Sequence, residues 1–200
     1  PVRPLACAVV SDEPSGRILA LACAPPGVPD RTATVLAPAE AHRIDWASTQ
    51  LVVWQAAPPT GPVAGQLESF VEGGGSLLLL PAGQPTGEAA APFLGVAWAA
   101  PEAAPPDGRF KIVSWERTGN PLEDFRDGQP MALDRLFVIK RRQASGEATV
   151  LAAYEDGIPA VMRVVRGRGQ ALFLTTLPDR RWSDLGSYND LLPLVERLAQ

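Results

Sequence analysis

The segment Gln66 to Gly83, QLESFVEGGGSLLLLPAG, constrains this chain more than any other, because a helix there hands directly to a buried strand. Val63, Leu67, Phe70 and Val71 recur at i, i+4, i+7 and i+8, which places apolar side chains on one helical face. Gly73 to Gly75 stop that helix, since glycine tolerates the left-handed backbone of a C-cap. Leu77 to Leu80 follow without polar alternation, the pattern of a strand covered on both faces and so of a parallel sheet. In open α/β sheets, ligands and catalytic groups gather just beyond the carboxyl ends of the strands. Here that position reads Pro81, Ala82, Gly83, and none of these side chains attacks, ligates or titrates.

The rest of the chain extends the same grammar. Leu5 to Val10 reads as a first buried strand, and Ser15 caps a short helix whose Ile18, Leu19, Ala22 and Cys23 share a face before Pro25 and Pro26 end it. Thr32 to Leu36 and Gln50 to Gln55 read as further strands, giving β-α-β-β-α-β with right-handed crossovers. From Pro81 to Pro106 proline, alanine and glycine dominate, and an irregular excursion is expected over about 81–147. Within it, Phe110 to Trp115 and Leu136 to Lys140 read as short strands around a turn at Asp127-Gly128. Thr149 to Tyr154, Ile158 to Val165 and Gln170 to Thr176, separated by glycine turns, predict an antiparallel meander. Tyr188, Leu191, Leu192, Val195 and Leu198 predict a closing helix, capped by Asn189 or Asp190, with Pro193 tolerated in its first turn. Residues 1–200 are read as one domain, since 200 residues suffice for one proper core.

Eighteen basic and 22 acidic side chains give a net charge of −4, which argues against nucleic acid or an anionic lipid surface as partner. Two cysteines, Cys7 and Cys23, are too few for a disulfide framework or a structural zinc site. They read as small apolar groups, with a Cys7–Cys23 bridge left open. No apolar run approaches the length of a membrane span. The chain starts at Pro1 rather than methionine, as expected of a segment of a longer protein.

The succession FVEGGGSLLLLPAG, then NPLEDF, then VLAAYEDGIPAVMRVVRGRGQALFLTTLPDRRWSDL resembles the class I glutamine amidotransferase-like domain of large bacterial membrane proteins of the BatA and aerotolerance type. In those proteins the domain accompanies a von Willebrand A-like domain and membrane-spanning helices. The resemblance implies a flavodoxin-like three-layer α/β sheet with a C-terminal antiparallel meander and helix. It also implies an inner-membrane-anchored parent and a periplasmic or extracytoplasmic domain, which meets other domains of its parent chain or protein partners. Active members of the superfamily resemble one another in a cysteine on a strand-to-helix elbow and a histidine after a later strand, because a thiol must lose its proton to attack a carbonyl. The elbow falls on Pro81 to Gly83 and the histidine region on Leu177-Pro178, and neither residue is present. A non-catalytic interaction or ligand-sensing domain is therefore expected, without cofactor or metal. Two alternatives stand beside it: a hydrolase of this fold with non-standard carboxylates or a metal near the strand ends, and a carbohydrate or small-molecule module with Trp98, Trp115 and Trp182 lining a groove.

Other features read as structural. Gly73 to Gly75 end a helix rather than open one, so they do not cradle phosphate. Arg166 and Arg168 sit on a hairpin tip, and Arg135, Lys140, Arg141 and Arg142 lack interleaved aromatics, so both groups are expected to be solvated or to touch protein. His42 reads as a surface residue, and Glu123, Asp124 and Asp127 as a solubilised loop without the spacing of a calcium site. Arg180, Arg181, Trp182 and Asp184, just past a strand end, form the candidate interaction site, with Trp182 packing under the last helix as the competing reading.

Overall fold

The computed structural model describes residues 4–83, 91–125, 128, 131–187 and 191–198. Ten strands and three α-helices are defined among them: β1 (Leu5–Ser11), α1 (Gly16–Cys23), β2 (Arg31–Leu36), β3 (Leu51–Gln55), α2 (Gly61–Glu72), β4 (Ser76–Leu80), β5 (Val96–Ala103), β6 (Ile112–Trp115), β7 (Lys140–Gly146), β8 (Thr149–Tyr154), β9 (Pro159–Arg166), β10 (Gly169–Leu174) and α3 (Leu191–Leu198). An eight-stranded sheet runs β2-β1-β3-β4-β10-β9-β8-β6, and β5 pairs with β7 in a separate ribbon. The first five strands of that order are mutually parallel, and β10, β9, β8 and β6 continue antiparallel. The result is a mixed α/β fold around a largely parallel sheet.

Burial on both faces explains the unbroken apolar strands. Val9, Leu51, Val53, Leu78 and Leu172 face one core, covered by α1 and α3. Val10, Val52, Leu77, Leu79 and Phe173 face the other, covered by Leu67 and Val71 of α2. The helix end proposed at Gly73 to Gly75 is a Schellman motif. Gly75 N donates to Phe70 O and Gly74 N to Val71 O, with Gly74 at φ +110°. Gly75 is held to glycine by close approach, since a β-carbon there would stand 2.3 Å from the Phe70 ring.

The meander at β8, β9 and β10 lies where the sequence places it. The stretch between Pro81 and Pro106, read as irregular, instead contains β5, because Trp98 and Val96 reach the second core and pair the segment with β7. The strand expected over Leu136 to Lys140 starts only at Lys140, and Val138 makes isolated bridges to Phe110 and Ser183. Asp127, Tyr188 of the expected helix face and the expected cap residues Asn189 and Asp190 lie outside the described residues.

The basic cluster departs most from expectation, because Arg141 and Arg142 are buried rather than solvated. The Arg141 guanidinium stacks 3.9 Å from the Phe110 ring and 4.8 Å from the Tyr154 ring, and it pairs with Glu102 (3.1 Å) and with Asp156. Arg142 donates through Nε to Ala99 O. These partners come from β5 and from the β8–β9 turn, so the neutralising contacts are set by the fold rather than by sequence neighbours. Cys7 and Cys23 are both free and buried, and their thiols are hydrogen-bonded to each other. That hydrogen bond, and then burial, push the Cys23 thiol up, so it keeps its proton and packs as a small apolar group.

Candidate functional site at the strand carboxyl ends

The chain leaves the neighbouring strands β1 and β3 in opposite directions. β1 leads into α1 on one face of the sheet, and β3 leads into α2 on the other. In open α/β sheets such a switch point, just beyond the carboxyl ends of the strands, is the usual place for a ligand. Its floor is a buried polar network. Gln55, the last residue of β3, donates through Nε2 to Ser15 Oγ at 2.5 Å, and its Oε1 lies 3.2 Å from Ser11 Oγ at the end of β1. Ser11 Oγ in turn accepts from Glu13 N at 3.0 Å. Burial without these partners would leave each group unsatisfied at a cost of about 1–3 kcal/mol.

Two carboxylates stand at the rim. Glu13 is carried by the loop after β1, and its side chain is only 11% exposed. It lies against Gly83, where a β-carbon would come within 2.5 Å of Glu13 Oε1. Asp179 is carried by the segment after β10. Its Oδ1 accepts from Arg181 N (2.8 Å) and Arg181 Nε (3.0 Å), and its Oδ2 accepts from Arg181 Nη2 (2.7 Å). The same Nη2 is 3.8 Å from Glu13 Oε2, so one guanidinium spans both acids. The Arg181 hydrogen bond holds the Asp179 carboxyl below the usual carboxylate range, outweighing partial burial. Two acceptors, one fork-shaped donor and a glycine wall form a site suited to hydroxyl groups. Among the described residues, no group of three or more His, Cys, Asp and Glu side chains is placed to hold a metal.

The Gly83 contact gives a direct test of this geometry. In Gly83→Ala the new methyl meets the far end of a flexible side chain rather than backbone, so stability should fall by no more than about 1 kcal/mol. Glu13 must nevertheless swing away, and the Glu13 side-chain NMR signals should shift while the core signals stay in place.

Of the four residues expected to form an interaction site, only Arg181 reaches this cleft. Arg180 is exposed. Trp182 is buried in the first core with Lys140 Nζ 4.6 Å from its ring centroid, and Asp184 accepts from Phe137 N at 2.8 Å. The aromatic groove expected from Trp98, Trp115 and Trp182 is not formed, since Trp98 and Trp182 are core residues and Trp115 packs half-buried on the first core. His42 is exposed, as are Arg135, Arg166 and Arg168. A groove of ≈ 1010 Å³ at the opposite, amino ends of the strands is lined by Trp46 and Phe70, with ring centroids 5.7 Å apart.

Glu13, Asp179 and Gln55 escape the sequence reading. The usable signal is the run Ser-Asp-Glu-Pro-Ser directly after the apolar strand LACAVV, since that junction must open at a strand carboxyl end.

No protein-family model matches the chain, and no curated protein matches it in sequence. Among solved structures, the fold is similar to part of the β-galactosidase from Bacillus circulans sp. alkalophilus, with a TM-score of 0.63 and 16% identity over 98% of this chain and 31% of that one. It is similar to part of the exo-β-1,4-mannosidase from Opitutaceae bacterium strain TAV5, with a TM-score of 0.53 and 16% identity over 97% and 35% of the two chains. It is also similar to a cytoplasmic protein from Salmonella typhimurium LT2, with a TM-score of 0.67 and 10% identity over 98% of both chains. The chain thus spans about a third of the length of these glycosidases, and at such identities the likeness shows the fold.

These findings correct several expectations. Nothing among the neighbours points to the glutamine amidotransferase-like domain of BatA-type membrane proteins. The expected periplasmic, membrane-anchored setting is overturned, since a neighbour matched over its whole length is a cytoplasmic protein. Among the described residues no helix is long and apolar enough to cross a membrane. The non-catalytic interaction or sensing domain is likewise overturned by neighbours that are glycosidases. Its physical flaw is plain. A missing cysteine and histidine exclude thiol chemistry only, whereas glycoside chemistry runs on carboxylates.

Proposed function

We propose that this chain is a carbohydrate-directed domain that receives a saccharide in the cleft beyond β1, β3, β4 and β10. The observation that carries this reading is the convergence of Glu13 and Asp179 on Arg181. Ionised carboxylates accept hydrogen bonds from sugar hydroxyls, and the guanidinium, already oriented by Asp179, has donors to offer in return. The part-length likeness to a β-galactosidase and a β-mannosidase supports a sugar as the ligand class. The strand order β2-β1-β3-β4-β10 supports a flavodoxin-like arrangement of the kind found in class I glutamine amidotransferase-like sheets, which locates ligands at the β1/β3 switch. Continuity of the eight-stranded sheet from β2 to β6 supports reading residues 1–200 as one domain.

A second reading, hydrolysis of a glycosidic bond at the same cleft, is favoured by the presence of two carboxylates on different loops, the minimum set for that reaction. In that reaction Asp179, held ionised by Arg181, serves as the carboxylate, and Glu13 is the second carboxyl of the pair. The two readings separate by experiment. Release of nitrophenol from nitrophenyl β-galactoside or β-mannoside, abolished in Glu13→Gln, selects hydrolysis. Saccharide binding without turnover selects recognition. Loss of neither property in Glu13→Gln and Asp179→Asn rejects the cleft as the site.

A further inference from the structure

A second, smaller pocket of ≈ 260 Å³ lies on the α3 side of the sheet, far along the strands from the carboxylate cleft. It is bounded by Arg163 of β9, Gln170 of β10, Arg197 of α3 and the loop residues Asn120 and Glu123. We propose that this pocket binds a small oxyanion of carboxylate or phosphate type.

The reasoning starts from charge that the protein itself does not neutralise. The Arg163 side chain makes no hydrogen bond or ion pair among the described residues, and its Nε is buried without a partner. An orphaned buried donor on a charged group is costly and calls for a ligand, water or ion. Arg197 is held in place but not neutralised. Its Nη1 donates to the carbonyls of Pro121 (3.2 Å) and Glu123, its Nη2 to the carbonyl of Asp124 (3.1 Å), and its guanidinium lies 5.0 Å from the Phe125 ring centroid. Carbonyls and a ring satisfy donors while leaving a full positive charge.

The remaining lining groups sort into spent and free. The Asn120 side chain is used up by Glu116 O, Thr118 O and Leu122 N, which fixes the loop. Glu123 is the one acid facing the pocket. It accepts from Gly119 N at 3.2 Å and makes no ion pair among the described residues. Two guanidiniums against one carboxylate leave a net positive pocket. Arg163 and Gln170 project from the same face of adjacent strands, since Arg163 pairs with Leu172, two residues on from Gln170. An oxyanion there takes a bidentate pair from Arg163, the geometry that favours arginine over lysine for carboxylate and phosphate.

The test is calorimetric titration of the whole chain with inorganic phosphate and, separately, with acetate, at constant ionic strength set with chloride. At least one of the two should bind saturably and raise the unfolding temperature. Phosphate alone assigns a phosphate-type ligand and acetate alone a carboxylate-type one. Arg163→Gln should weaken that binding about tenfold or more, equivalent to one lost charge-assisted contact. Glu123→Gln should tighten it by removing the opposing charge. Should Arg163→Gln fail to fold, Gln170→Ala must weaken binding several-fold. No saturable binding of either anion, or equal binding by wild type and whichever of these weakening variants folds, overturns the proposal.

Discussion

Asp156→Ala is expected to destabilise the protein by about 3 kcal/mol, the scale of breaking a buried ion pair from one side. The asymmetry of the site sets this value. Asp156 is 43% exposed and loses little by leaving, whereas Arg141 is 1% exposed and keeps its charge in the interior with only Glu102 and two rings to face it. Denaturant midpoints for wild type and variant read the difference directly. Replacing Arg141 itself with methionine should cost less than removing Asp156, because the two stranded carboxylates return to water and the stem still packs.

The same cluster fixes a pH dependence. The Arg141 hydrogen bond holds the Asp156 carboxyl below its ordinary value, and the Glu102 carboxyl is held down first by Gln143 and then by Arg141. A carboxyl depressed in the folded state binds its proton more readily when unfolded. Its contribution is therefore present above the unfolded value near about 4 and is lost as the pH falls through the lower folded value. Acid titration of the unfolding free energy should show this loss in the wild type and a shallower one in Asp156→Asn.

Gly169→Ala is the second large effect, at about 3 kcal/mol or more. Gly169 opens β10 where the β9–β10 hairpin meets the α2–β4 corner. A β-carbon there would stand 2.2 Å from Val71 O and 2.3 Å from Gly75 O, both backbone atoms that cannot rotate aside. Gly75 also receives Gln170 N and forms part of the Schellman motif, so relief would have to move the helix end or the strand. The contrast with Gly83→Ala is instructive, since the approach is similarly close but the opposing atom there is the end of a side chain. Thermal unfolding of the two variants should differ widely.

The parallel half of the fold was legible because its signals are local. The helix face of Val63, Leu67 and Val71, the glycine stop and the apolar run Leu77 to Leu80 lie within eighteen residues, and each constrains the next. The meander was equally plain from its three apolar runs and glycine turns. The β5–β7 ribbon was hidden, since it depends on Trp98 and Ala144 meeting a core that forms elsewhere. The buried Arg141 was hidden for the same reason, as Glu102 lies 39 residues away. The cleft was half legible. Its place, beyond the strand ends, follows from the topology, and Pro81-Ala82-Gly83 bring no titratable side chain to it. The acid that fills that space comes from the loop after β1, and only the folded sheet brings Glu13 to Gly83 and to Arg181.

Saccharide titration followed by ligand-observed NMR tests the central claim most directly, with methyl β-galactoside and β-1,4-mannobiose as probes against wild type, Glu13→Gln and Asp179→Asn. The cleft predicts saturable binding of at least one probe, with an affinity on the order of millimolar and a loss of about tenfold in each variant. The part of the binding that depends on Asp179 should persist as the pH is lowered from neutrality to the ordinary carboxylate range, since Arg181 keeps that carboxyl ionised there. Absence of saturable binding to either sugar, or binding that both variants retain unchanged, contradicts it.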